Sequence, residues 1–296
     1  MYEEFYGLNQ PPFALLPDPS FMYLSKDHAM ALTLLRYSVL NKQGFTVITG
    51  EIGSGKTTLI NRIIDELDDG ITVGLINFTH TAFGELSEWV LMAFGLDYRN
   101  KSKVEIYDTF VKFLIDQFSL GKRVVLIIDE AQNMEPRTLE EVRMLTNVNA
   151  QNEYLLHLII LGQPELRATL ERPELRQLTQ RVSVFYHIGA LTLKDTEHYI
   201  AHRMQVAGGN PDLFSQGAIE AIWQHAGGIP RVINTLCDLS LVYGYSAVQN
   251  SIDRNIVVEV IHDRKAMGLG SGDYSGIDCG ALAGSTDPAV VDIQEK

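Results

Sequence analysis

Cysteine is almost absent: in 296 residues there are two, Cys237 and Cys279, far apart and without metal-type spacing. That argues against a disulfide framework and against a zinc cluster. Long hydrophobic runs are missing too, since no stretch reaches the roughly 18 apolar residues read as a membrane-spanning helix. The first residues, Met1-Tyr2-Glu3-Glu4-Phe5, carry neither the basic nor the apolar region of a secretory signal, so a cytoplasmic location with no direct membrane span is the expectation. Basic charge is in deficit, 24 Lys and Arg against 37 Asp and Glu, giving a formal net charge of −13. Nonspecific adhesion to nucleic acid or acidic lipid rests on summed phosphate neutralisation, and this balance argues against it. The eight histidines show no spacing for zinc or a nucleophile triad. His198 and His202 lie four apart, but outside an H-E-x-x-H pattern, and are read as surface residues.

What is present is enough apolar material, 46% of residues, for one large or two ordinary folded domains. The organising stretch is Gly50-Glu51-Ile52-Gly53-Ser54-Gly55-Lys56-Thr57, followed by Thr58. It has the G-x-x-x-x-G-K-[ST] spacing of a phosphate-binding loop, with an apolar run before it and a helical pattern behind. Glycines let consecutive backbone N–H groups turn inward around phosphate oxygens, and the following helix aims its positive end at the same place. Lys56 is then placed to reach the β- and γ-phosphates, and the Thr57 hydroxyl to hold Mg²⁺. The stretch predicts binding of a nucleoside triphosphate, ATP with Mg²⁺.

Along the chain, residues 1–27 read as an irregular lead broken by Pro11, Pro12, Pro17 and Pro19, with Phe5, Tyr6, Phe13, Phe21, Met22 and Tyr23 as apolar anchors. A helix from Ser25 to Asn41 follows, capped by Ser25 or Asp27. Strands are predicted at Phe45–Thr49, Ile71–Phe78, the five apolar residues Val124–Ile128 that end in Asp129 and Glu130, Leu155–Gly162 and Val182–Ile188. Helices separate them, including a single one over 165–180. This alternation predicts an α/β fold, a three-layer parallel sheet with ligand at the strand ends. After Gly189 only helices are predicted, over 193–207, 215–226, 230–246 and 254–267. The expected organisation is a leader and helix packed on the core (1–43), a nucleotide-binding core (44–189), a small all-helical lid (190–268) and a flexible acidic tail (269–296).

Asp129 and Glu130 close an apolar strand downstream of the phosphate loop. Phosphoryl transfer needs one acid for Mg²⁺, here Asp129, and a second to polarise the attacking water, here Glu130. Gln163 follows another strand and either orients that water or caps the next helix. Arg172, Arg176 and Arg181 either make surface salt bridges or, in a ring, supply charge to a neighbour's γ-phosphate; Arg176 and Arg181 are the favoured pair. Arg231 opens a helix at Pro230 and is placed to fold back over the nucleotide. Asn77 could hydrogen-bond Glu130.

Together these segments resemble the AAA+ ATPases of the ExeA/GspA type over residues 1–267. The resemblance rests on Phe5-Tyr6-Gly7-Leu8 with Pro12-Phe13 and Pro17-Asp18-Pro19, on Gly44-Phe45 and Thr49 to Thr58, on Ile128-Asp129-Glu130-Ala131-Gln132, on Leu161-Gly162-Gln163-Pro164-Glu165-Leu166, and on Gly228-Ile229-Pro230-Arg231-Val232-Ile233-Asn234. It implies a P-loop NTPase (AAA+) core with a helical lid, oligomerisation on ATP as a homo-oligomer of ring type, and adenine held near Pro17 to Tyr23. It also implies an ATPase that assembles or energises an envelope secretion, pilus or polysaccharide-export system. Longer relatives add a transmembrane helix and a periplasmic peptidoglycan-binding domain. Here the sequence ends in an acidic tail, so a membrane-protein partner is expected to supply that link. Two alternatives stay open: a slowly turning nucleotide-dependent switch, and a transposition or DNA-associated helper.

Overall fold

Phe45 to Gly50 is apolar without alternation because the strand it forms, β1 (Phe45–Gly50), is buried along its whole length. A computed structural model describes residues 1–16, 18–41, 44–77, 85–150 and 153–268 of the protein. Around β1 lie β2 (Ile71–Asn77), β3 (Arg123–Asp129), β6 (Leu156–Gly162) and β7 (Val182–Ile188), all parallel, in the order β2-β3-β6-β1-β7. The two strands skipped in that order, β4 (Asn149–Ala150) and β5 (Glu153–Tyr154), form a two-residue antiparallel pair too short to leave a periodicity in the sequence.

Alternate residues of one strand serve opposite layers. Val124, Leu126 and Ile128 face a core shared with α4 (Leu86–Ala93), α5 (Lys103–Ser119) and α6 (Pro136–Leu145). Val125 and Ile127 face the other core, with Leu32 and Leu35 of α2 (Lys26–Leu40) and Leu59, Ile60 and Ile63 of α3 (Lys56–Glu66). The result is the expected three-layer α/β sheet. Of the two caps considered for α2, the structure uses Ser25, whose Oγ accepts from the His28 N–H at 3.3 Å.

The single helix expected over 165–180 is broken into α7 (Glu165–Leu170), a 3₁₀ turn (Pro173–Leu175) and α8 (Arg176–Thr179). Pro173 has no N–H to donate and forces Arg172 to extended backbone, at φ −63° and ψ 141°. Beyond β7, helices α9 (Leu193–Val206), α10 (Gln216–Ala226), α11 (Pro230–Ser246) and α12 (Arg254–Ala266) surround a third core.

The leader is less irregular than its prolines suggest, and it belongs elsewhere than expected. It contains a one-turn helix, α1 (Tyr2–Phe5), and a 3₁₀ turn (Pro19–Phe21). Tyr2, Leu8, Phe13 and Phe21 are buried in the helical-domain core, not on the sheet, because α9 and α11 offer the apolar groove. Of residues 1–43, α2 lies on the sheet, and Met22 packs against the same core. The expected end of β2 at Phe78 and the tail 269–296 lie outside the described residues.

Candidate functional site

β1 delivers the phosphate loop to the C-terminal edge of the sheet. Gly53 at φ +78° and Gly55 at φ +96° supply the left-handed backbone that turns the loop. A side chain at Gly50 would lie 2.8 Å from Ser54 Oγ and 3.1 Å from the Ile188 carbonyl, so glycine is required there by space. Glu51 and Ile52 form the outer bend, Ile52 being exposed, while Ser54 is buried and Thr58 is half-buried on α3.

Lys56 Nζ donates to the carbonyls of Gly50 at 2.7 Å and Glu51 at 2.9 Å, inside the loop. Burial pushes its ammonium below the ordinary lysine value, against the pull of Asp129 and Glu130. The Thr57 hydroxyl donates to Asp129 Oδ2 at 2.8 Å, which brings together the two residues expected to hold metal. A hydroxyl beside a carboxylate is an oxygen donor set that suits Mg²⁺. No group of three or more His, Cys, Asp or Glu side chains is placed to hold a metal among the described residues. The set therefore fits an ion that takes its remaining ligands from phosphate and water.

Glu130 follows with φ +56°, a strained backbone for a residue with a side chain. Its N–H donates to Asp129 Oδ1 at 2.8 Å. Its Oε2 accepts from Gln132 Nε2 at 2.6 Å and Gln163 Nε2 at 3.4 Å. Gln163 thus points at the acidic pair, and Pro164 rather than Gln163 occupies the cap position of α7. The hydrogen bond expected from Asn77 is not made. Asn77 pairs in register with Asp129, but its side chain is exposed, and the glutamines hold Glu130.

A cavity of about 370 Å³ opens beside the loop. Its walls come from the leader (Ala14, Asp18, Phe21, Tyr23), from the loop and Glu130, and from the helical domain (Tyr199, Arg203, Arg231, Asn234). Most of the leader segment expected to hold adenine lines it; Pro17 lies outside the described residues. The Arg231 N–H donates to the Gly53 carbonyl at 3.2 Å, so α11 begins on the phosphate loop itself. The exposed Arg231 side chain lines the cavity.

The trans-acting candidates separate. Arg181 is half-buried, its Nη1 donating to Thr146 Oγ1 at 3.2 Å. Arg172 lies 3.9 Å from Glu174. Arg176, at the start of α8, is exposed.

Three side chains carry more than the sequence signalled. His28 is buried beneath the loop, Nε2 meeting the Ser54 carbonyl at 2.8 Å and Nδ1 meeting Ser25 Oγ at 2.7 Å. Arg203 is buried between leader and lid, donating to the carbonyl of Pro12 at 2.6 Å and to Tyr199 Oη at 2.8 Å. Gln132 also accepts from the Gln163 N–H at 3.0 Å. Nothing local marks His28 or Arg203, since both depend on contacts far along the chain. Gln132 stands two residues after Glu130 in the segment that closes β3, so its position is local, but its bond to the Gln163 N–H is not.

Strand order, phosphate loop and helical domain define the class: this chain has the fold of an AAA+ P-loop protein. The family described as AAA domain matches residues 39–170. The chain is similar to General secretion pathway protein A of Aeromonas hydrophila, 35% identical over 253 residues, covering 85% of this chain and 46% of that protein. It spans about half the length of that relative, and the resemblance to the GspA type is borne out. Among solved structures the Aeropyrum pernix ORC2 protein in its ADPNP-ADP complexes aligns with a TM-score of 0.64 at 13% identity, over 86% of this chain and 72% of that one. Cdc6p from Pyrobaculum aerophilum aligns at 0.61 and 16%, over 80% and 68%. The RuvB Holliday junction branch migration motor of Thermotoga maritima aligns at 0.52 and 16%, over 86% and 76%. At these identities the likeness establishes the fold alone.

Proposed function

We propose that the protein binds Mg-ATP at this edge and hydrolyses it. The observation that carries the reading is the Thr57–Asp129 contact of 2.8 Å beside Lys56, with Glu130 next in the chain. In this scheme Lys56 and the loop N–H groups hold the phosphates, and Thr57 and Asp129 hold Mg²⁺, which supplies charge neutralisation at the phosphates when bound. Glu130 takes the proton of the attacking water, and Gln163 orients that water. Arg231 reports the γ-phosphate to the lid.

Subunits assemble on ATP, and an Arg from one completes the site of the next. Arg176 is the better donor, because it is exposed while Arg181 is tied to Thr146. The relative named for general secretion supports service to a secretion system; that the system is of the envelope secretion, pilus or export kind, with a membrane-protein partner and a cytoplasmic ATPase, belongs to this proposal. Among the described residues no helix is long and apolar enough to cross a membrane.

The test is the ATPase rate against protein concentration for wild type, Lys56→Ala, Glu130→Gln and Arg176→Ala. The expected specific activity rises with concentration, vanishes in Lys56→Ala and drops about 10²-fold or more in Glu130→Gln, which retains ATP in a stable oligomer. Arg176→Ala is expected to bind ATP normally and turn over slowly. A rate independent of concentration removes the shared site. Tight ATP binding without turnover in wild type replaces the ATPase by a nucleotide-dependent switch.

A further inference from the structure

We propose that Gln132 is a positioning residue for hydrolysis, a bridge through which the tip of β6 sets the direction of the Glu130 carboxylate. The proposal rests on the reading of Glu130 as the base. Gln132 lies in the 3₁₀ turn Ala131–Asn133, and its side chain is half-buried. One end of its amide donates to Glu130 Oε2 at 2.6 Å; the other accepts from the Gln163 N–H at 3.0 Å. A carboxylate can only accept and a backbone N–H can only donate, so the amide has one allowed orientation. The bridge therefore transmits position, and reversing the amide would break both bonds.

Two further observations make this arrangement specific. A side chain on Gly162 would lie 3.2 Å from Gln132 Oε1 and 2.7 Å from Leu166 Cδ2, so glycine at the end of β6 leaves the bridge its space. Glu130 itself sits at φ +56°, a left-handed conformation strained for a residue with a Cβ, which needs contacts to hold it. With Oε2 held by Gln132 and by Gln163 at 3.4 Å, Oε1 is the oxygen left to face water. The water proton passes to Oε1 as its oxygen bonds to the γ-phosphorus and the bond to the leaving ADP oxygen breaks.

The experiment uses the full chain and compares Gln132→Leu and Gln132→Glu, each alone and combined with Glu130→Gln. Steady-state and single-turnover ATPase, ATP affinity and thermal stability are measured. Gln132→Leu is expected to lower kcat about tenfold, the consequence of losing one hydrogen bond to a charged group, with ATP affinity and KM within about twofold. Gln132→Glu is expected to be slower still, because it places a second carboxylate against Glu130. In the Glu130→Gln background the residual single-turnover rate should be unchanged by Gln132→Leu, since the bridge then has no base to aim. Wild-type kcat in Gln132→Leu, or an equal fold loss in both backgrounds, overturns the bridge while leaving hydrolysis by Glu130 intact. Unchanged turnover in Glu130→Gln alone overturns the base assignment and the bridge with it.

Discussion

His28 shows how much one buried ring can constrain. The Ser54 carbonyl only accepts, so Nε2 carries the hydrogen, and Nδ1 accepts from Ser25 Oγ. Both bonds are those of the neutral ring, and burial pushes its pKa below the ordinary value of about 6.5. The unfolded chain then binds a proton at a pH where the folded chain does not. Stability is full above about 6.5 and falls as pH drops through that value toward the folded pKa. His202, half-buried against Tyr23 rather than on the surface as its sequence suggests, and His225 are shifted the same way by burial and share in the effect. Thermal unfolding from pH 7.5 to 5 should therefore show a falling midpoint in wild type and a shallower fall in His28→Phe. That variant should also bind ATP more weakly, because the loop loses its anchor at Ser54. An unchanged pH slope in His28→Phe would refute the assignment.

At the scale of elements, the start of α11 and the phosphate loop are one contact. A Cβ at Gly53 would lie 2.5 Å from Arg231 Cβ, and the residue already requires φ +78°. Gly53→Ala should strain the loop by roughly 1–2 kcal/mol and push α11 off it. The expected result is at least a tenfold loss of ATP affinity by calorimetry while circular dichroism stays that of the wild type; retained affinity would show that the lid tolerates displacement. Elements were largely legible in the sequence. β7 and α11 fall on their predicted limits, because an alternating edge strand and a Pro-initiated helix announce themselves. The fracture at Pro173 was legible too, and a single helix over 165–180 ignores it. The β4–β5 pair was not legible, since two residues carry no period.

For the molecule as a whole, the leader is a structural part of the lid. Phe13, 1% exposed, packs edge-on to Phe214 at 5.8 Å, and the guanidinium of Arg203 lies 6.0 Å from its ring centroid. Tyr2 adds a hydrogen bond to Asp238, and the Asn9 N–H donates to the Ala207 carbonyl at 2.8 Å. Phe13→Ala should cost about 3–5 kcal/mol, the range for emptying a buried aromatic site. Because the same leader walls the cavity, ATP affinity should fall with it. Denaturant titration with and without nucleotide measures both, and a loss below about 1 kcal/mol would show the leader to be peripheral.

The sequence by itself determined the phosphate loop, the acidic pair and the order of strands and helices, because each is written in local spacing and hydrophobic period. It also placed Gln163 at the strand tip, where the register of β3 with β6 brings it to Glu130. Tertiary structure alone decided that the leader joins the helical domain, that His28 lies under the loop, and that Arg203 clamps Pro12. It decided as well that Arg181 is occupied while Arg176 is exposed. These are contacts between residues 26 to 236 positions apart, or choices among like side chains along one short segment. Local pattern cannot encode them, since burial and hydrogen-bond partners exist only once the sheet, the lid and the leader have closed on one another.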